Sequence, residues 1–313
     1  MPLPTDEKLL SLSEDLIAQF DTIFGLHPGF RPAHAKGLML TGTFIPTGDA
    51  AGLSKAQHFV QPSTPVTVRF SNSTGVPLIP DNDPNANPRG MGIRFNLAEH
   101  VHTDIVAHST DGFPTRTGAE FLEFLKALAA SAPNMPPPAP IDVFLASHPA
   151  ARAFVEAPKP APVSFATEGF FGVTALQFEN ASGQTRFGRY QIVPEAGLAH
   201  LTDAETSGKS AHYLFDDIVQ RVAVKPIRYS VHVQLADAGD VVNDATIHWP
   251  SSREVAVIGT ITLDALVPDG AAEQKHIIFD PIPRLPGISP SDDPLLELRA
   301  AIYLISGRRR RAA

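Results

Sequence analysis

Eight short runs of β-like residues, four on either side of a helical stretch, leave this chain few ways to fold. They fall at 38–45 (LMLTGTFI), 66–71 (VTVRFS), 91–97 (MGIRFNL) and 103–107 (TDIVA), then at 170–179 (FFGVTALQFE), 186–193 (RFGRYQIV), 227–236 (IRYSVHVQLA) and 255–263 (VAVIGTITL). Each is rich in β-branched or aromatic residues and bounded by turn-forming segments such as VPLIPDNDPNANPRG. Eight antiparallel strands suffice to close a sheet on itself, which removes its edges and leaves an interior filled by side chains. The expectation is an α+β protein: an eight-stranded antiparallel β-barrel with flanking helices. Thirty prolines and 22 glycines in 313 residues suit many turns between short elements, and a 43% hydrophobic content can fill one large core or two modest ones.

The helices are legible from apolar spacing. Residues 6–25 place Leu9, Leu12, Leu16, Phe20 and Ile23 on one face, with Gly25 as the stop. This segment, 1–27, reads as a helical arm, and 28–313 as a single barrel domain. The arm's apolar face needs a covering surface, either its own barrel or a second copy of the chain, so a homo-oligomer, a dimer first, is expected. AEFLEFLKALAAS at 119–131 and IDVFLASHPAARAFVEA at 141–157 flank a proline cluster, and another helix is expected at 211–222. The tail starts a helix at DDP and is expected to stop at Gly307.

A formal charge of −8 offers no general attraction to phosphate backbones, so neither nucleic acid nor an anionic membrane is expected as a partner. The absence of cysteine excludes disulfides, thiolate nucleophiles and cysteine-ligated metals. No basic segment precedes an apolar signal core, and no run approaches 18 apolar residues, so a cytoplasmic, soluble protein is expected.

Three stretches could carry chemistry. In RPAHAKG at 31–37, His34 stands at the entrance to the first strand. Arg69 and Ser71, two apart in VTVRFS, share a strand face, and the Ser71 hydroxyl could orient one imidazole nitrogen while the other meets a cavity. Arg299 and Tyr303 lie four apart on the last helix, where a guanidinium can reach a phenol oxygen. His102 and Asp104 form an HxD pair of the kind seen in non-haem iron sites, with no third ligand evident.

Taken together, RPAHAKG, VRFS, NPRGMGIRF, IIFDPIPRLPGISPSDDPLLELR and RAAIYLISGRRRR resemble the haem catalases, and most of all their small catalase-related peroxidases, from about residue 28 to 311. That resemblance implies a catalase-like barrel enclosing haem, of b type, with a helix near the C-terminus bearing the proximal ligand. It makes His34 the distal acid/base oriented by Ser71, and Tyr303 the axial iron ligand supported by Arg299. It makes Arg31, Arg69 and Arg310 the propionate-binding arginines and places Phe113 by the channel, with Lys36 left solvated. The asparagine that large catalases carry after the corresponding strand is missing from DIVAHSTDGF at 104–113, and Ser109 stands nearest in register. The implied activity is reduction of hydrogen peroxide or organic hydroperoxides by a small organic reductant, with weak or no catalase activity. Rearrangement of lipid hydroperoxides and haem binding without turnover are the alternatives.

Overall fold

The computed structural model describes residues 3–132 and 134–313. Among them the strands are β1 (Gly37–Pro46), β2 (Thr64–Ser71), β3 (Gly90–Ala98), β4 (Val101–His108), β5 (Phe170–Phe171), β6 (Leu176–Glu179), β7 (Thr185–Pro194), β8 (Ile227–Leu235), β9 (Val255–Leu266) and β10 (Ile288–Pro290). All but β6 and β10 form a closed antiparallel ring, in which β7 pairs with β8 and β9 returns to β1. The ring has the eight members expected. Only the 170–179 run departs: it breaks after Phe171 and resumes at Leu176, so that β6 hangs from β7 outside the ring and carries β10.

Alternation along the strands gives the barrel two unlike faces. Leu40, Val68, Ile93 and Ile105 are paired in a row across β1–β4 and point inward, where all are buried. Phe70, also inward, reaches across the lumen to Tyr229 of β8 and stacks on Phe165, with ring centroids 6.1 and 5.1 Å away. Each such aromatic contributes about 1.5–3 kcal/mol by leaving water. The interior is therefore a solid apolar core and holds no cofactor-sized space. The expectation that haem is enclosed within the sheet is corrected on this point: the inward row is fully used by packing, and the polar candidates Arg69 and Ser71 alternate with it onto the outer wall.

Helices cover that wall. They are α1 (Glu7–Phe24), two short turns α2 (Ala50–Leu53) and α3 (Gln57–Val60), α4 (Gly118–Ala129), α5 (Pro140–Ser147), α6 (Pro149–Glu156), α7 (Asp203–Ser207), α8 (Tyr213–Val224), α9 (Gly270–His276) and α10 (Pro294–Ala312). Asp6 caps α1 by accepting from Lys8 N, and Gly25, at φ 83°, ends it. Leu16 and Ile17 of α1 are buried, and the helix packs on α4 and α10 of its own chain. The single helix expected at 141–157 is two, because Pro149 cannot continue α5 and instead begins α6. The last helix does not stop at Gly307 but runs to Ala312. The glycine is there for close packing, since a Cβ would lie 2.2 Å from Ile278 Cδ1. No helix among the described residues is long and apolar enough to cross a membrane.

Candidate active site

The site is assembled on the outer wall of β1–β4. Gly37, Ser71, Gly90 and His108 are paired in one row across four strands, so their side chains, where present, stand on one face. The two glycines are gaps that other groups fill. A Cβ on Gly37 would lie 2.2 Å from the Arg69 guanidinium, and one on Gly90 would lie 2.5 Å from Ser71 Oγ and 2.8 Å from His34 Nδ1. The His34 ring thus lies over Gly90, beside Ser71.

His34 is held in an uncommon backbone conformation, at φ 57°, with its N–H donating to Ser73 O and its carbonyl accepting from Arg69. Its Nδ1 lies 3.1 Å from Ser71 Oγ. Burial first, then the Arg69 charge and more weakly those of Arg31 and Arg299, push its pKa down to about 4, against an opposing hydrogen bond with the Asn72 backbone. The ring is therefore neutral near pH 7, and with Nδ1 engaged its Nε2 is the nitrogen able to take a proton.

Other candidate residues stand on α10, whose Arg299 charge bears on His34. Asp293 caps this helix by accepting from Leu295 N at 2.9 Å, and Pro294 starts it. Leu296 and Ala300 join the barrel cluster while Leu295 and Leu298 join a second cluster with α1 and α4. Held on two sides, α10 leaves a third stripe of Arg299, Tyr303, Ser306 and Arg310. Arg299 Nε donates to Tyr303 Oη at 3.2 Å, and the Arg299 charge acts on both His34 and His108. His34 and His108 lie deep in the protein, yet they, Arg299 and Tyr303 all keep some accessible surface, as side chains lining a hollow do.

Three guanidiniums close one end. Arg31 donates to Gln274 O and Ile277 O, each at 3.0 Å. Arg69 donates to Gln274 Oε1 at 2.9 Å and to the His34 and Ala35 carbonyls. Arg310 donates to Ser306 Oγ and Ile277 O, each at 2.9 Å, and its Nε is buried without a partner. It alone of 308–311 is buried. Among the described residues no carboxylate pairs with any of the three. Burial, and for Arg31 also the charges of Arg69 and Arg310, pushes its pKa well below normal; burial and Arg310 bring Arg69 down to about 9, and burial and Arg311 bring Arg310 down to about 10. Such a set is matched by an anionic group with two carboxylates. The residues present fit haem.

Other sequence candidates land elsewhere. Lys36 is not solvated: it is buried, and its Nζ donates to Asp81 Oδ1 at 2.7 Å and to the Ile79 and Ala211 carbonyls. Ser109 faces away from His34, its hydroxyl accepting from Arg89 N, and lines a separate hollow of about 220 Å³ beside Glu168 and His200. Phe113 packs on Phe121 in the cluster between α1, α4 and α10, with ring centroids 4.9 Å apart. Asp104 is taken up by Arg94, at 2.9 and 2.8 Å, and by Asp280 N at 2.7 Å, while His102 stands 3.9 Å away. That carboxylate is saturated, and among the described residues no cluster of three or more His, Asp or Glu could hold a metal. The residue missed was His108. Its place opposite Gly90 becomes visible only once three strands are in register.

A closed barrel with the His34–Ser71 pair on its outer wall, an Arg299–Tyr303 pair on α10 and buried arginines without carboxylate partners among the described residues suits a catalase-type protein. The model of the catalase family matches residues 29–313, and the chain belongs to that family, whose cofactor is haem. It is 32% identical to a catalase-related peroxidase of Synechococcus elongatus, over 95% of this chain and 88% of that protein. It is 34% identical to a catalase-related peroxidase of Mycolicibacterium paratuberculosis, over 90% and 89%. A fungal catalase superposes with a TM-score of 0.80 at 22% identity, and a bacterial catalase with 0.78 at 26%. Those two comparisons cover 99% of this chain but 63% and 62% of the solved chains, so the protein spans somewhat under two thirds of a full-size catalase.

Proposed function

We propose that this protein is a haem b peroxidase that reduces hydrogen peroxide and organic hydroperoxides at the expense of a small organic reductant, with little catalase turnover. The observations that support it best are a neutral His34 paired with Ser71 and within reach of the Arg299 charge, the Arg299–Tyr303 hydrogen bond, and three guanidiniums that lack carboxylates among the described residues. Arg31, Arg69 and Arg310 would hold the propionates, and Tyr303 Oη, with Arg299 donating to it, would bind the iron. Bound haem supplies the redox-active iron through which two electrons pass. The rest belongs to side chains. With Nδ1 donating to Ser71 Oγ, His34 Nε2 accepts the proton from one peroxide oxygen and delivers it to the other as the O–O bond breaks, a relay worth about 10²- to 10⁴-fold. One hydroperoxide, two electrons and two protons give one alcohol and one water, or two waters from hydrogen peroxide, and the reductant supplies the electrons. The absence of asparagine throughout 104–113 supports peroxidase over catalase turnover.

The test is the absorption spectrum of the purified protein with and without Tyr303→Phe. A Soret band that shifts on this substitution supports the axial assignment, and its complete absence from the unsubstituted protein would sink the reading. Oxygen release measured alongside oxidation of a phenolic dye gives the catalase-to-peroxidase ratio.

A further inference from the structure

The distal side carries a second imidazole that the reading above does not use. His108 is the last residue of β4 and is paired with Gly90, over which the His34 ring lies. Because cross-strand partners project to the same face, His108 rises from the wall next to His34, with the glycine gap between them and Ser71 on the far side. Its Nδ1 lies 2.7 Å from Thr110 Oγ1, so the ring is pinned from behind and Nε2 is the free nitrogen. The Arg299 charge, from α10, bears on both rings.

We propose that His108 is a further catalytic residue, which donates a hydrogen bond from Nε2–H to the bound peroxide while His34 takes the peroxide proton. Resting on the haem peroxidase reading, this assigns the two imidazoles different work. Burial, the Arg299 charge and the neighbouring His34 push the His108 pKa down to about 3, so it is neutral at working pH. We take the tautomer in which Nδ1 accepts from the Thr110 hydroxyl; the neutral ring then carries its one proton on Nε2 and is a donor.

The experiment uses the full chain purified with haem, comparing wild type, His108→Leu, His108→Asn, Thr110→Val and His34→Ala. Cyanide affinity of the ferric protein and kcat/KM for hydrogen peroxide are measured, with haem content and Soret position as the check on the site. His108→Leu should weaken cyanide binding and lower kcat/KM, each by about 10- to 100-fold, as loss of one buried donor does. Its haem content and Soret band should match the wild type. His108→Asn restores a donor and should recover most of both, whereas Thr110→Val, which frees the ring to turn, should lose less than the leucine variant. His108→Leu indistinguishable from wild type in both measurements, or His108→Asn as impaired as His108→Leu with full haem content, would overturn the assignment. A His34→Ala protein with unchanged peroxide turnover would instead overturn the peroxidase mechanism, and a wild type that takes up no haem would overturn both.

Discussion

Two clusters of buried cations stand on either side of the His34 loop, and they are built on opposite principles. In the first, Lys36 and Arg89 close around Asp81: Lys36 and Asn72 donate to Oδ1, Leu214 N donates to Oδ2, Arg89 donates to the Asp81 carbonyl and to Asn72 Oδ1. The carboxylate is fully buried and accepts three hydrogen bonds. In the second, Arg31, Arg69 and Arg310 share backbone carbonyls and one glutamine, with no acid among them. Removing cations from water costs several kcal/mol each unless a partner repays it. The first cluster has its partner within the chain and is a brace: by fixing Asn72 it fixes Ser71, and through Ser71 the His34 ring. The second is left in deficit and so specifies a ligand. Burial alone does not tell a structural cation from a binding one; the presence of a local carboxylate does.

The largest test strikes the brace. Asp81→Ala leaves Lys36 buried without a counter-charge and should cost about 3–5 kcal/mol in urea-induced unfolding of the haem-free protein. A loss below about 1 kcal/mol would mean that the Asp81 contacts carry little energy, and the contrast between the clusters would fail. Arg69→Leu should do the reverse. Removing one uncompensated guanidinium leaves the haem-free protein equally or more stable, while haem affinity falls by a factor of about 10–100, as for a lost charge-assisted hydrogen bond. Both effects are read from one pair of titrations, and a matching loss of haem-free stability would show that Arg69 too is structural.

A third buried base has no partner of either kind among the described residues. His58 sits among Phe44, Phe59 and Phe95, with its Nδ1 unbonded, and burial pushes its pKa down to about 3. Below pH 6.5 the unfolded chain takes up a proton that the folded one refuses, so stability is full above about 6.5 and lost as pH falls toward 3. At pH 5 the loss from this residue is about 2 kcal/mol. His58→Leu should remove that part of the slope of unfolding free energy against pH between 7 and 5, and an unchanged slope would show that burial does not hold this ring neutral.

The same contrast explains what could be read from the sequence. The barrel and most helices follow from local periodicity, and the two misjudged helix positions, Pro149 and Gly307, involve residues whose effect depends on what packs beside them. RPAHAKG and VRFS were legible because both resemble catalase motifs, although His34 and Ser71 lie 37 residues apart. Lys36 was misjudged because its counter-charge lies 45 residues away, at Asp81. His108 was missed because only the strand register sets it beside His34, and Ser109, one position along, necessarily faces the other way. Contacts that cross strands carry no mark in a single sequence.

The smallest effect separates neighbours in the terminal arginine run. Arg309 Nη2 meets Asp21 Oδ2 of α1 at 2.6 Å, where both side chains reach water, while Arg310, one residue on, is buried with its Nε unpaired. Adjacent helix positions are about 100° apart, so one arginine joins the outer surface and the next joins the site. Arg309→Ala should therefore cost about 0.2–1 kcal/mol of stability, screened away by salt, and leave haem affinity untouched. Arg310→Leu should repeat the Arg69→Leu behaviour, with haem affinity reduced and haem-free stability retained. If the two substitutions lower haem affinity equally, the run acts as a diffuse basic patch, and the division between compensated and uncompensated cations does not extend to α10.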